Sequence, residues 1–351
     1  MKNNISRYIT VLLFTGLGLA TLFLVYYYQN AAYQADCALK GVSGQECNLI
    51  DKLLDDLNHV NYSWIWITII MFMISNVMRA YRWKMMLEAL GYKPRMVNLF
   101  STVMVNYLAN LGIPRSGELV RAALISKYDN IPVEKAFGTV VTDRIFDVIM
   151  MAIVFGMTAL LGGKVVLDYL DQNINIRDKA GFLLDRPGVI IAFIILILLA
   201  TYFVFKNRTR LRNTTIGSKL MHKFKGFYDG VISVKNVANL PLFIFHTVMI
   251  WILYFLMQYL AFFSFAPTEN LGPIAGLVVF AFGSLGIVVP TPGGMGSFHF
   301  LTTEALAIYN VQGADAFTYA NIVFFSIQIF ANIVFGIISL VLLSLYNKVQ
   351  P

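Results

Sequence analysis

Charged side chains stand inside two apolar stretches of this chain, each beside a Pro/Gly-rich break. The first stretch, 99–125, carries Asn110, Gly112, Pro114, Arg115, Gly117, Glu118 and Arg121. Pro114 has no backbone donor, and Gly112 and Gly117 permit dihedrals that other residues avoid. The chain is therefore expected to break here and to restart as a helix near Ser116 or Gly117. A helix N-terminus presents unpaired N–H groups and a partial positive charge. Arg115 sits at that point and Arg121 follows, and a guanidinium offers a planar fork suited to phosphate. Together these features describe an anion site. Glu118 lies three residues from both arginines and can pair with either. The alternative is an internal Arg–Glu clamp that only holds the turn.

A second set follows at Asp143, Arg144 and Asp147. Asp143 and Asp147 share one helix face at i,i+4, with Arg144 about 100° around. Buried acids need partners, and Arg115 and Arg121 are the expected ones. Scaffold pairing and direct substrate contact both remain open for these acids. The second broken stretch, 271–309, contains Pro290, Pro292, Gly293, Gly294 and Gly296, then Ser297, His299 and Glu304. Its glycines leave backbone N–H groups unshielded, and Ser297 is placed to cap the following helix. Glu304 is the acid suited to a proton or a lipid headgroup. His299 has no neighbour at metal-ligand spacing and reads as a packing residue. No nucleotide loop, Ser-His-Asp set or zinc motif is present, so no cofactor is expected.

The elements that position these residues are membrane spans. The chain of 351 residues is 58% hydrophobic and 13% charged, and its mean hydropathy is +0.68. No soluble globular domain of this length has that composition. The formal charge is +8, but the cations sit in short loops beside apolar runs. That pattern indicates membrane topology and contact with anionic lipid, and it argues against nucleic acid. Complete spans are expected near 8–28, 63–78, 137–162, 189–205, 240–265 and 316–346. The first is a retained span, too long for a signal-peptide core. Tyr26–Tyr28, Trp64, Trp66 and Trp83 fit interfacial belts.

Loop charge sets the sides. The stretches 79–98, with Arg79 and Arg82 among its cations, and 206–239 are strongly basic and read as cytoplasmic. The loop 29–62 is acidic and reads as extracytoplasmic, and its Cys37 and Cys47 form either a disulfide or two free thiols. Parity then requires 99–125 to enter from the cytoplasm and return. The second broken stretch enters from outside, as a re-entrant hairpin or as two short spans; its short, charged 297–311 arm favours the hairpin. The fold class is all-α: a polytopic integral membrane protein with about six full spans and two Pro/Gly-broken re-entrant hairpins, arranged as an inverted repeat. Broken helices at corresponding places in two halves point to a transporter's substrate site. No soluble domain remains, so residues 1–351 form one integral membrane domain.

The run from Asn110 through Arg121, the later Asp143-Arg144…Asp147, and the run from Pro290 through Gly296 to Glu304 resemble the flippase-like transmembrane region of lysylphosphatidylglycerol synthases. That region also occurs alone in bacterial membrane proteins, and with glycosyltransferases in some archaeal ones. The resemblance covers nearly the whole chain. It implies a stand-alone lipid-translocating region without the synthases' aminoacyl-transferase domain. The expected function is binding and translocation of an anionic phospholipid or a polyprenyl-phosphate-linked lipid. Its headgroup would lie between the hairpin tips and its tails in the bilayer. The substrate-binding set is Asn110, Arg115, Glu118, Arg121, Asp143, Arg144, Asp147, Gly293, Gly294 and Glu304. Expected partners are membrane lipids and a lipid-modifying enzyme or glycosyltransferase. Expected localisation is a bacterial inner (plasma) membrane with both termini cytoplasmic. The alternatives are an intramembrane transferase using Glu118, Asp143 or Glu304 as acid or base, or a non-catalytic partner of an envelope-lipid synthesis enzyme.

Overall fold

In a computed structural model, residues 48–173, 228–230, 232–311 and 313–348 are described, with scattered positions between 16 and 37. The described positions of the first apolar run are helical. From there the order is α1 (Leu49–Asn58), α2 (Tyr62–Glu88), α3 (Met96–Gly112), α4 (Gly117–Asp129) and α5 (Val133–Asn173). It continues with α6 (Leu240–Leu260), α7 (Pro273–Val288), α8 (Ser297–Ala307), α9 (Gly313–Val323) and α10 (Asn332–Lys348). No strand occurs among the described residues. The fold is all-α.

Among the described residues, four stretches are long and apolar enough to cross a membrane: Tyr62–Glu88, Val133–Val166, Leu240–Ser264 and Gly313–Asn347. They match four of the expected spans. The expected span 189–205 and most of the 206–239 loop lie outside the described residues. The last span is not uniform. Between α9 and α10, Phe324–Ala331 forms a widened turn with i→i+5 bonding, the kind of irregularity often found at functional sites.

Both expected breaks are present, and each folds its chain back on itself. Asn110 Oδ1 accepts the Gly117 N–H at 2.8 Å, so the end of α3 caps the start of α4. A Cβ at Gly117 would stand 2.2 Å from the Asn106 carbonyl oxygen, so only glycine lets the two arms meet there. In the second hairpin, Gly286 packs on the backbone of Phe298; a Cβ there would stand 2.6 Å from that residue's Cα. Ser297 does not cap α8. Its hydroxyl donates across the hairpin to the carbonyls of Gly286 at 2.7 Å and Gly294 at 3.1 Å. The return arms α4 and α8 have 13 and 11 residues, about 20 and 17 Å at 1.5 Å per residue. Neither reaches across a hydrocarbon core of about 30 Å.

The hairpins enter from opposite ends of the bundle. α2 leads directly into α3, so the first hairpin has its base at the C-terminal end of α2. Arg95 and Asp129 close that base at 2.9 Å, and Asn347 at the end of α10 is tied to both Arg95 and Asn98. The second hairpin starts shortly after Ser264, whose carbonyl accepts from Asn61 at the N-terminal end of α2 at 2.9 Å. The tips meet between these ends: Arg115 donates to the carbonyl of Val288, and Gly293 lies against the Leu111 side chain.

Among the described residues, several buried apolar cores hold the arms. One packs Ile69, Phe72, Met104, Val278, Leu306 and Tyr319 around the second hairpin. Another packs Trp83, Leu87, Leu99, Val103, Ile125 and Phe243 around the first. Outside them, α1 rests on α9 through Leu49, Ala314 and Phe317. Lys52 reinforces this contact through Asp315 of α9 at 2.8 Å, and it also pairs with Asp56 of its own helix at 2.8 Å. Burial pushes the Lys52 ammonium down, but its bonds to Asp315 and Asp56 outweigh that and raise its pKa. Cys37 is disulfide-bonded, which decides its state against a free thiol; the sequence has one other cysteine, Cys47.

Candidate functional site

A cluster of seven ionisable side chains lies where α4 meets α2 and α5. Asp143, fully buried, is its centre. It accepts from Arg79 at 2.9 Å and Arg121 at 3.1 Å, and closely from Arg82. Asp147, one turn along α5, accepts from Arg79 at 2.8 Å and Arg82 at 2.9 Å. Each of these two acids therefore bridges the same pair of arginines on α2. Tyr254 extends the network from α6, accepting from Arg79 at 3.1 Å. The Arg121 guanidinium lies 3.8 Å from the centroid of the Trp83 ring. Trp83 is itself fixed by a 2.8 Å bond from Nε1 to Thr139. A desolvated cation–π contact of this kind contributes about 2 kcal/mol.

The edge of the cluster is looser. Arg144 approaches Asp147 at 3.3 Å, Glu118 at 3.8 Å and Asp143 at 3.9 Å. Its side chain is 36% exposed, while those of Arg82, Arg121 and Asp143 are 0% exposed. Among the described residues, four guanidinium groups face three carboxylates, which leaves one formal positive charge. Buried donor atoms also lack hydrogen-bond partners: Nε of Arg79 and Arg82, Nε and Nη2 of Arg121, and Nε and Nη2 of Arg144. Unpaired buried charge is expensive in a bilayer and marks function there. A site with excess cation and spare N–H donors is suited to an anion with several acceptor oxygens.

Five of the expected site residues are thus brought together: Glu118, Arg121, Asp143, Arg144 and Asp147. The pairing differs from expectation. Glu118 faces Arg144 instead of Arg115 or Arg121, because α5 runs alongside the first turn of α4. Arg115 does not reach the acids. Its backbone is left-handed, with φ 62°, which turns it toward the second hairpin and the Val288 carbonyl. Asn110 is the cap already described. Gly293 and Gly294, at φ 60° and 83°, shape the other tip. Gly293 sits between Leu111 and the widened turn, near Phe324 and Gln328. Glu304 lies apart, on the wall of a groove beside α8. His299 is buried against Phe324, with ring centroids 4.6 Å apart, as a packing residue would be.

Two members of the cluster, Arg79 and Arg82, were expected in a cytoplasmic loop. They instead lie in the second half of α2, buried. Trp83 is likewise fully buried and not part of an interfacial belt. A signal was available: Thr68, Ser75, Arg79 and Arg82 form one polar helical face that continues past the apolar span, and all four are buried.

The sequence matches the family described as the lysylphosphatidylglycerol synthase TM region over residues 49–336, which takes in both hairpins and the whole cluster. The chain belongs to that family. Similar proteins include a UPF0104 membrane protein of Methanocaldococcus jannaschii, 24% identical over 280 residues, 76% of this chain and 81% of the relative. A second from the same organism is 27% identical over 237 residues, 66% of this chain and 94% of that protein. Glycosyltransferase AglD of Haloferax volcanii is 29% identical over 84 residues, 24% of this chain and 14% of that protein. No solved structure matches. These relatives are archaeal. The family match and the long apolar helices together make the chain a multi-pass membrane protein.

Proposed function

We propose that this chain binds a lipid through its phosphate and carries the headgroup between leaflets along the line from the charged cluster to the hairpin tips. The observation that carries the reading is the buried cluster with one excess positive charge, set on the return arm of a broken hairpin. Arg144 is the cation for the phosphate, because it is the least firmly paired and the most exposed of the four. Arg79, Arg82 and Arg121 hold Asp143 and Asp147 in place, and Glu118 keeps Arg144 at the edge until an anion arrives. Arg115 and the glycine-shaped second tip continue the path. Irregular backbone at membrane depth is tolerated where it lines a cavity, and hairpins entering from opposite ends suit access from either side in turn. In this reading the base of the first hairpin faces the cytoplasm, as do both chain termini. The partial likeness to a glycosyltransferase favours a glycosyltransferase as partner over an intramembrane transferase within this chain.

The test is binding of phosphatidic acid to the full chain in phosphatidylcholine nanodiscs. A charge-assisted bond contributes about 1.5–3 kcal/mol, so Arg144→Gln should weaken binding roughly ten- to a hundredfold with the protein still folded. Unchanged affinity in a folded Arg144→Gln variant would remove the cluster from lipid binding.

A further inference from the structure

Beside the second hairpin, on the side facing the first apolar run, lies a cavity of about 630 Å³. Leu24, Tyr28 and Gln29 form one wall; Val289, Ser297, Phe300, Leu301 and Glu304 form the other. Ser297, Phe300, Leu301 and Glu304 fall at i, i+3, i+4 and i+7, one face of α8. Ser297 makes no demand on an occupant, since its hydroxyl donates to Gly286 and Gly294. Leu24, Val289, Phe300 and Leu301 make much of its wall hydrocarbon. Leu24 and Phe300 are exposed, so in a membrane the groove opens toward lipid.

One end of the groove reaches the tip junction. Val289 in its wall follows Val288, whose carbonyl is held by Arg115. Arg115 is exposed, has that single hydrogen-bond partner and pairs with no acid among the described residues. Arg115 is thus held one residue from the groove's wall, and a cation beside an apolar groove matches the two halves of an anionic lipid. Glu304 sits about 10 Å along α8 from Ser297, at the far end of that face.

We propose that this groove holds the aliphatic chain of the transported lipid while its phosphate engages Arg115. The inference rests on the lipid-binding reading above and adds a site for the chain, which that reading leaves in the bilayer. It makes Arg115 exchange the Val288 carbonyl for phosphate, so that loading the groove also loosens the junction between the tips.

The test uses the full chain in phosphatidylcholine liposomes containing a phosphatidic acid with a diazirine at the end of one acyl chain. After irradiation, labelled peptides are mapped by mass spectrometry. Label should concentrate on peptides containing Leu24, Phe300 and Leu301, and unlabelled phosphatidic acid should compete. Leu301→Trp fills the groove; displacing about two methylenes should weaken labelling about tenfold. Leu301→Ala enlarges the groove and should keep the label, which separates filling from misfolding. Arg115→Ala should also lower groove labelling. Label spread evenly over lipid-facing positions such as Leu160, insensitive to competitor, overturns the proposal. If that occurs while Arg144→Gln still weakens binding, the groove fails and the lipid reading survives. Groove labelling that ignores both Arg115 and Arg144 overturns the link between chain and phosphate, and the lipid reading with it.

Discussion

Asp143→Asn removes one charge and almost no volume from the centre of the cluster. Asp147 still holds Arg79 and Arg82, at 2.8 and 2.9 Å. Arg121 has no second acid in contact among the described residues, so the substitution leaves it buried and without that partner. Breaking one buried pair in this way costs about 3–5 kcal/mol. Near 2.1 cal/mol/K of unfolding entropy per residue, a chain of 351 residues converts that cost to a fall of about 4–7 °C in apparent Tm. The measurement is thermal unfolding of purified protein in one detergent, followed by the fraction that stays monodisperse. A second variant isolates the cause. Asp143→Asn with Arg121→Met removes the orphan guanidinium and restores the cluster's single excess charge. It should be more stable than Asp143→Asn alone, even though the contact with Trp83 is lost. The reasoning fails if Asp143→Asn melts within about 1 °C of the parent, or if adding Arg121→Met lowers stability further by the full cost of a second broken pair.

Other predictions follow from the same geometry. Gly117→Ala should prevent the first hairpin from closing, because its methyl would meet the Asn106 carbonyl at 2.2 Å; the expected result is loss of folded protein, read by yield and size-exclusion profile. Lys52 has a raised pKa in the fold. The stability it adds is therefore complete below its unfolded value near 10.5 and declines as pH climbs through the higher folded value. Lys52→Gln should flatten that alkaline decline, and an unchanged pH profile counts against the α1–α9 clamp. Single cysteines at Lys93 and Glu269, at the bases of the two hairpins, should react with an impermeant reagent from opposite faces of sealed vesicles. Labelling from one face contradicts opposite insertion.

The breaks were legible because Pro114, Pro290 and Pro292 and the glycines around them cannot continue a helix. The acids of α5 were legible because two aspartates at i,i+4 in an apolar helix require cations. The identity of those cations was not. The positive-inside rule reads Arg79 and Arg82 as loop residues, since apolarity falls off after residue 78. The helix nonetheless runs on to Glu88, because its polar face finds partners on α5 and α6 instead of water. Arg115 was misplaced for a different reason. Its position beside a helix N-terminus suggested an anion site, but the left-handed backbone at that residue directs the side chain across to the other hairpin. A single sequence carries little sign of such a contact between segments more than 170 residues apart.

The most direct test of the central claim is movement of a headgroup. The full chain is reconstituted in liposomes with a trace of fluorescent phosphatidic acid, and an impermeant quencher reports which leaflet the headgroup occupies. The parent protein should expose inner-leaflet probe faster than protein-free liposomes do. Arg144→Gln and Arg115→Ala, folded and equally incorporated, should slow this about tenfold or more, as the loss of one charge-assisted bond implies. Equal rates for the parent, the variants and empty liposomes, in the presence of the candidate glycosyltransferase partner as well as in its absence, would contradict the claim.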